Sequence, residues 1–130
     1  MNEYFSAPSG LPPAVGYSHA IAGRGRLVVV SGQLPLDEKG ELVSPEDGLA
    51  QARQVFTNLA TALEAAGAGP ADVVKLGFYL LSFADLASVR KARDEFVGVA
   101  KPPASTLVQV AGLVVSGARL EVDALAITTD

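Results

Sequence analysis

A run of β-branched and apolar residues at 27–30 turns abruptly polar at Ser31-Gly32-Gln33 and is stopped by Pro35. Such a run favours the pleated backbone, so we predict a buried strand over residues 27–31. The hydroxyl, the amide and the glycine at its end place hydrogen-bonding groups where another backbone or a ligand can come close. An ordinary strand end has the same pattern, so this stretch alone is a weak indication of a site.

Apolar residues spaced three and four apart predict a long amphipathic helix in the middle of the chain. We expect it to begin at residues 44–47, with Ser44 as the N-cap and Pro45 at the first helical position, where its missing N–H is no loss. Gly67 suits the left-handed position that ends a helix. The predicted apolar stripe consists of Leu49, Ala52, Phe56, Leu59 and Leu63.

A second helix is predicted after Ser82-Phe83-Ala84-Asp85, which resembles a capping box, and it should end near Gly98. Further strands are predicted at residues 16–21, 73–81, 106–112 and 119–128. The first of these should pair with the strand at 27–31 as a hairpin, through a glycine-containing turn.

The resulting order is strand, strand, helix, strand, helix, strand, strand, which predicts an α+β domain with one mixed sheet. Because each helix crosses between strands of that sheet, both helices should cover the same face. The other face stays apolar and needs a cover, which a second subunit can provide. We expect residues 1–130 to form a single domain, with residues 1–15 as an extended arm.

Composition sharpens this expectation. Charged residues make up 18% of the 130 positions, below the roughly 25% usual for soluble domains, and 49% are hydrophobic. No apolar run approaches the ~18 residues of a membrane span, so the surplus predicts subunit contacts in a homo-oligomer. No signal peptide is recognisable, so a cytoplasmic protein without membrane association is expected.

Charge and residue types exclude several kinds of site. The net charge is −4 with scattered basic residues, so no nucleic acid partner is expected. The chain has no cysteine and one histidine, which excludes cysteine metal sites and histidine-rich metal centres. That histidine, His19, is predicted to be structural. The segment Arg90-Lys91-Ala92-Arg93 is typical of a solvated helix face.

Two carboxylates on the last predicted strand are candidates for chemistry. Glu121 and Asp123 are two residues apart, so both point to the same face of the sheet. A carboxylate within an apolar strand is costly unless paired, and Lys75, inside another predicted strand, is the candidate partner of Asp123. Glu121 is then the better candidate to activate or orient a water, and a solvated or interface carboxylate is the alternative. Tyr17 is a candidate to contact a small ligand or to anchor an interface.

Several short motifs are spread in order over residues 14–127. They are Gly16-Tyr17-Ser18-His19-Ala20, Val30-Ser31-Gly32-Gln33-Leu34-Pro35, Gln51-Ala52-Arg53-Gln54 with Asn58-Leu59, Ala65-Ala66-Gly67, Asp72-Val73-Val74-Lys75, Pro103-Ala104 and Leu120-Glu121-Val122-Asp123-Ala124. Taken together, these motifs resemble the Rid family (reactive intermediate deaminase, YjgF, or L-PSP endoribonuclease-like). The resemblance implies a chorismate-mutase-like fold assembled as a homotrimer, with a small-molecule cleft at each subunit interface. It also implies hydrolysis of imines or enamines such as 2-iminopropanoate, without metal or cofactor.

By position, Tyr17, Ser31 and Gly32 match cleft residues of that family, and Glu121 matches the glutamate that positions the attacking water. Three positions depart from the family pattern. Ser105 stands where an arginine holds the ligand carboxylate, Arg90 replaces an asparagine, and Leu107 replaces a small residue.

The loss of the arginine has a physical consequence. Its fork gives a carboxylate charge-assisted bonds of about 1.5–3 kcal/mol each, whereas serine offers one neutral donor. We therefore predict weak or absent activity toward 2-imino acids. Whether Arg90 swings in to replace the arginine stays open.

Three functional hypotheses follow. The first is a Rid protein that binds a small imine- or enamine-like metabolite other than a simple 2-imino acid. Glu121 would serve the water if the metabolite is hydrolysed, with Ser105 and Tyr17 as polar contacts, and whether it is hydrolysed stays open. The second is a non-catalytic trimer that senses a metabolite or contacts a partner protein. The third, RNA cleavage, is disfavoured by the acidic charge and by the lack of catalytic histidines.

Overall fold

The computed structural model describes residues 2–129 and contains the mixed sheet that the sequence predicts. In chain order the elements are β1 (Glu3–Phe5), β2 (Ala20–Ala22), β3 (Arg26–Gln33), α1 (Gly48–Ala65), β4 (Val73–Leu80), α2 (Leu86–Val97), β5 (Ala104–Gln109) and β6 (Leu120–Thr128). Four of the strands form one sheet in the order β3-β6-β4-β5. Strand β6 is antiparallel to both of its neighbours, and β4 and β5 are parallel.

Both helices pack on the same face of this sheet, as predicted. Helix α1 contacts β3, β6 and α2, and its apolar stripe is buried against the strands. The core side chains include Val28, Val30, Val55, Phe56, Leu59, Leu63, Leu76, Phe78, Val89 and Val122. Burying each large apolar side chain stabilises the fold by about 1.5–3 kcal/mol, so this helical face is the stable platform of the molecule.

The opposite face of the sheet is left open by residues 2–129. Val29 is 69% exposed and Leu27 is 59% exposed, although both alternate with core residues of β3. Leu125 pairs with Val29 across the β3–β6 ladder and is also exposed. A contiguous apolar patch of this kind is typical of a surface that another protein covers.

The predicted hairpin between residues 16–21 and 27–31 is wrong. Strand β2 pairs with β1 in a separate two-stranded sheet. The backbone of Ser18 is bridged to Ala104 at the start of β5, whereas β3 lies at the other edge of the four-stranded sheet. Residues 19–25 must therefore cross the end of the sheet, and they cannot run beside β3.

The predicted helix starts are also wrong in detail. Asp47 caps α1 by accepting a bond from the Ala50 N–H at 3.0 Å, and Ser44 and Pro45 precede the helix. The Ser82 hydroxyl accepts from the Ala84 N–H and caps a short 3₁₀ turn ahead of α2.

The predicted helix ends are confirmed. Gly67 has a φ of +79° just after the end of α1, and Gly98 caps α2 with a φ of +73°. No helix within residues 2–129 is long and apolar enough to cross a bilayer.

Candidate functional site

A cavity of about 210 Å³ lies between α2, β5 and residues 6–19, the segment that joins β1 to β2 and is called the arm from here on. Its charged lining residues are both arginines, and its hydroxyl groups come from Tyr17 and Ser105. Four residues predicted from the sequence are brought together here, namely Tyr17, Arg90, Ser105 and Leu107. The remaining lining residues are Val15, Phe78, Val89 and Arg93.

The strand register explains why β5 contributes these residues. Ser105 pairs with Leu76 and Leu107 pairs with Phe78 in the parallel β4–β5 ladder. Leu76 and Phe78 are buried under the helices, and paired residues on neighbouring strands share a face. Ser105 and Leu107 therefore point to the helical side of the sheet, toward α2.

The arm is fastened to the start of β5 by Ser18. Its hydroxyl donates to the Pro102 carbonyl at 2.6 Å, and its N–H donates to the Pro103 carbonyl at 3.1 Å. These bonds set Tyr17 against the cavity. The His19 ring bonds the Pro12 carbonyl at 2.6 Å and lies edge-on to the Tyr17 ring, which supports the structural role predicted for His19.

Arg93 is the charged cavity residue that sequence reasoning missed. Its side chain is only 15% exposed, and its Nε donates to the Asp94 carboxylate at 2.9 Å. A Cβ at Gly16, whose φ is +78°, would lie 3.0 Å from Nη2 of Arg93, so the arm packs directly on the guanidinium. The available signal was its position four residues after the buried Val89, which places it on the inner side of the helix.

A second group of predicted residues meets at the end of β3. Val30 pairs with Ala124 and Gln33 pairs with Val122, so Ser31 and Gly32 form a β-bulge opposite Asp123. A Cβ at Gly32 would collide with Oε2 of Glu121, so only glycine leaves room for this carboxylate. The bulge thereby brings Gly32 against Glu121, with Ser31 next to it in sequence, whereas Tyr17 lies at the cavity beside α2.

Asn58 of α1 holds the chain that leaves this bulge. Its amide donates to the carbonyls of Leu34 and Leu36 at 3.0 and 2.9 Å. Gln54 donates to the side-chain oxygen of Asn58 at 2.9 Å and fixes its orientation. The helix thus positions the backbone next to Gly32, although the sequence motif around Asn58 gave no hint of this role.

The predicted pair between Lys75 and Asp123 is not formed. Lys75 opposes Leu125, whereas Asp123 opposes Gly77, and the Lys75 ammonium donates to the Thr106 hydroxyl at 2.9 Å. A hydroxyl on the neighbouring strand β5 therefore accepts the hydrogen bond of the Lys75 ammonium.

Asp123 instead accepts a hydrogen bond from the Tyr79 hydroxyl at 3.1 Å. That bond raises the pKa of Tyr79 above its ordinary value of 10.0, and the charge of Asp123, burial and the charge of Glu121 add to the effect. Tyr79 therefore stays a protonated donor to Asp123.

The two groups lie on opposite faces of one sheet. Ser105 and Leu107 share the helical face with Phe78, whereas Glu121 lies opposite Tyr79 on the open face. One chain therefore does not bring Glu121 into the cavity. Within residues 2–129, no group of three or more His, Asp or Glu residues is arranged to hold a metal ion.

Comparisons with known proteins cover nearly the whole chain. A family model described as endoribonuclease L-PSP matches residues 8–128. The chain is 34% identical to the 2-iminobutanoate/2-iminopropanoate deaminase of Salmonella typhimurium over 123 residues, which are 93% of this chain and 94% of that protein. Its fold is similar to the crystal structure of YyfB, a Rid family protein of Yersinia pestis, with a TM-score of 0.88, 36% identity and 98% of both chains covered. It is also similar to RidA of an Antarctic Psychrobacter, with a TM-score of 0.73, 35% identity and 97% and 100% of the two chains covered.

Proposed function

Because this chain belongs to the Rid family, also described as endoribonuclease L-PSP, we propose that it binds and hydrolyses a small imine or enamine between two copies of itself. The relative from Salmonella typhimurium is named for the same reaction class. The observation that carries the proposal is the division of the site: the cavity offers Tyr17, Ser105 and two arginines, and Glu121 lies on the opposite face of the sheet.

In this reaction the Glu121 carboxylate accepts a hydrogen bond from water and takes its proton as the oxygen attacks the imine carbon. The C=N bond is replaced by C=O, and the nitrogen leaves as ammonia with the protons that the water supplied. Gly32 supports this role because its lack of a side chain leaves room for the carboxylate at the bulge. Ser31 adds a neighbouring hydroxyl at the same strand end.

A homotrimer is the assembly that we propose for the cleft. The apolar patch at Leu27, Val29 and Leu125 is exposed in one chain, and it lies on the same sheet face as Glu121. A second copy that covers this patch would bring its own cavity toward Glu121. Burying the patch supplies an apolar driving force for association.

The activity toward simple 2-imino acids should be weak or absent in the unmodified protein. Ser105 and Leu107 form the β5 wall of the cavity, where the family pattern has an arginine and a small residue. A serine hydroxyl cannot give a carboxylate the paired, charge-assisted bonds of a guanidinium.

The test is 2-iminopropanoate hydrolysis, with the imine generated in place by an amino-acid oxidase. We expect Ser105→Arg to raise the rate at least about tenfold over the unmodified protein, because one charge-assisted bond is worth more than the ~1.4 kcal/mol of a factor of ten. Ser116→Arg, in the exposed loop before β6, is the matched control and should change nothing.

Rapid turnover by the unmodified protein would contradict the specificity part of this proposal. A lack of turnover in both proteins, with any imine tried, would contradict the hydrolase and favour the non-catalytic trimer.

A further inference from the structure

The cavity is unusual in its charge. The chain carries a net charge of −4, yet the charged side chains that line the cavity within residues 2–129 are Arg90 and Arg93. A concave site lined by one sign of charge concentrates its field and attracts the opposite sign. This part of the cleft, with a volume of about 210 Å³ in one chain, therefore favours an anionic ligand.

Arg93 is held ready for such an anion. Its bonds to Asp94, from Nε and Nη2, occupy two of the five N–H donors that a guanidinium carries. The backbone of Gly16 packs against the same group, so the side chain loses little freedom when a ligand binds. The remaining donors form a planar fork, which matches the geometry of carboxylate and phosphate oxygens.

Arg90 lies one helical turn before Arg93 and adds a second cation to the same wall. It is exposed in the single chain, and within residues 2–129 no acidic side chain is paired with it. Two cations three residues apart repel each other weakly, and an oxyanion between them relieves that repulsion.

We infer that the ligand of this cleft carries an oxyanion, a carboxylate or a phosphate, that is held from α2 by Arg93 with help from Arg90. This inference rests on the proposed function only for the identity of the reacting group. The oxyanion then lies at the α2 wall, not at the β5 wall where Ser105 stands. The reacting imine carbon is placed differently from that of a 2-imino acid held at β5, so the preferred substrate is an imine or enamine whose anionic group is not the 2-carboxylate.

The experiment measures binding of malonate, inorganic phosphate and neutral acetamide to the full chain by calorimetric titration. We expect saturable binding of one or both anions and none of acetamide. Arg93→Gln should weaken the affinity at least about tenfold, the loss expected for a charge-assisted fork. Arg93→Lys should weaken it less, because lysine keeps the charge without the fork. Arg53→Gln, at an exposed arginine paired with Glu95 outside the cavity, is the matched control and should bind as the unmodified protein does.

Amide chemical shifts locate the bound anion. Malonate or phosphate should shift the N–H signals of Gly16, Tyr17 and Ser105, and these shifts should vanish in Arg93→Gln. A folded Arg93→Gln variant that binds both anions unchanged would overturn the inference, and so would an unmodified protein that binds neither.

The two proposals fail separately. Anion binding that depends on Arg93, without turnover of any imine, would support the oxyanion site and contradict the proposed hydrolase activity. Imine turnover that is unaffected by Arg93→Gln contradicts the oxyanion site and leaves the hydrolase standing.

Discussion

The cavity beside α2 and the acidic group at the β3 bulge differ in almost every property. The cavity holds Arg90 and Arg93 on the helical side of the sheet, whereas the bulge group holds Glu121 and Asp123 on the open side. Among the described residues, the cavity lining contains no carboxylate to direct a water. This contrast supports the proposal that each region supplies half of a hydrolytic site, which two copies of the chain would complete.

The two regions are also built differently. The arm is fastened to β5 by the two bonds of Ser18, and it carries Tyr17 and Gly16 to the cavity. The bulge is fastened from the helix by Asn58, through the carbonyls of Leu34 and Leu36. Substitutions can therefore damage one half and spare the other, and this independence is what the following experiments test.

The largest effect is expected from Glu121→Gln. An amide cannot take a proton from water, so when this change is added to Ser105→Arg the rate of 2-iminopropanoate hydrolysis should fall at least about a hundredfold. The affinity of the cavity for malonate should not fall, because the anion is held by Arg93, and replacing the carboxylate that a second copy brings to the cavity removes no donor to the anion. Glu64→Gln, at an exposed position of α1, is the control. A loss of malonate binding in Glu121→Gln would contradict this division of roles, because it would show that Glu121 also helps to hold the anion.

Asn58→Ala should have a smaller effect that is confined to the bulge. Two backbone carbonyls lose their donor, so urea unfolding should show a stability lower by about 1–3 kcal/mol. Hydrolysis should slow, because the chain after Gly32 is no longer held, while malonate affinity stays constant. Thr61→Ala, which removes an exposed hydroxyl bonded within the same helix, should change stability by less than about 0.5 kcal/mol. Equal losses in both variants would contradict a positioning role for Asn58.

The smallest effect concerns Tyr79 and appears only at high pH. Its pKa is raised by Asp123, so its hydrogen bond contributes stability that is fully present below pH 10 and is lost as the pH rises through the folded pKa. In an ultraviolet titration of the tyrosines, the ionisation step at the highest pH should be absent in Tyr79→Phe. Asp123→Asn should move that step to lower pH. An unchanged titration in Asp123→Asn would exclude Asp123 as the main cause.

The sequence predicts most of the fold because the spacing of apolar residues and the positions of glycine and proline indicate the same elements along most of the chain. The apolar stripe at 49–63 indicates a helix, the glycines indicate helix ends, and the alternation of Glu121 and Asp123 indicates a strand. The hairpin prediction was wrong because Ser18 is hydrogen-bonded to residues 102 and 103, which lie more than eighty positions away in the sequence. Nothing in the local pattern of residues 16–31 reports them.

The site was predictable only in part for the same reason. The resemblance to a family points to Tyr17, Ser31, Gly32, Ser105 and Glu121, but a motif does not say which face of the sheet each occupies. Arg93 was hidden within a charged helical segment that is typical of a solvated face. Its role follows from the packing of Gly16 on its guanidinium, which requires the arm and the helix to be seen together.

The most direct test of a site shared between copies is a mixed assembly. One subunit carries Ser105→Arg together with Glu121→Gln, and the other is unmodified. Each assembles alone with little or no 2-iminopropanoate activity, because one lacks the glutamate and the other lacks the arginine. If each cleft joins two subunits, about a quarter of the clefts in an equal, randomly mixed assembly contain both groups. The account predicts that co-expressed, mixed protein reaches about a quarter of the rate of Ser105→Arg alone. A mixture no more active than its separate components would contradict it, because no single chain in that mixture holds both groups.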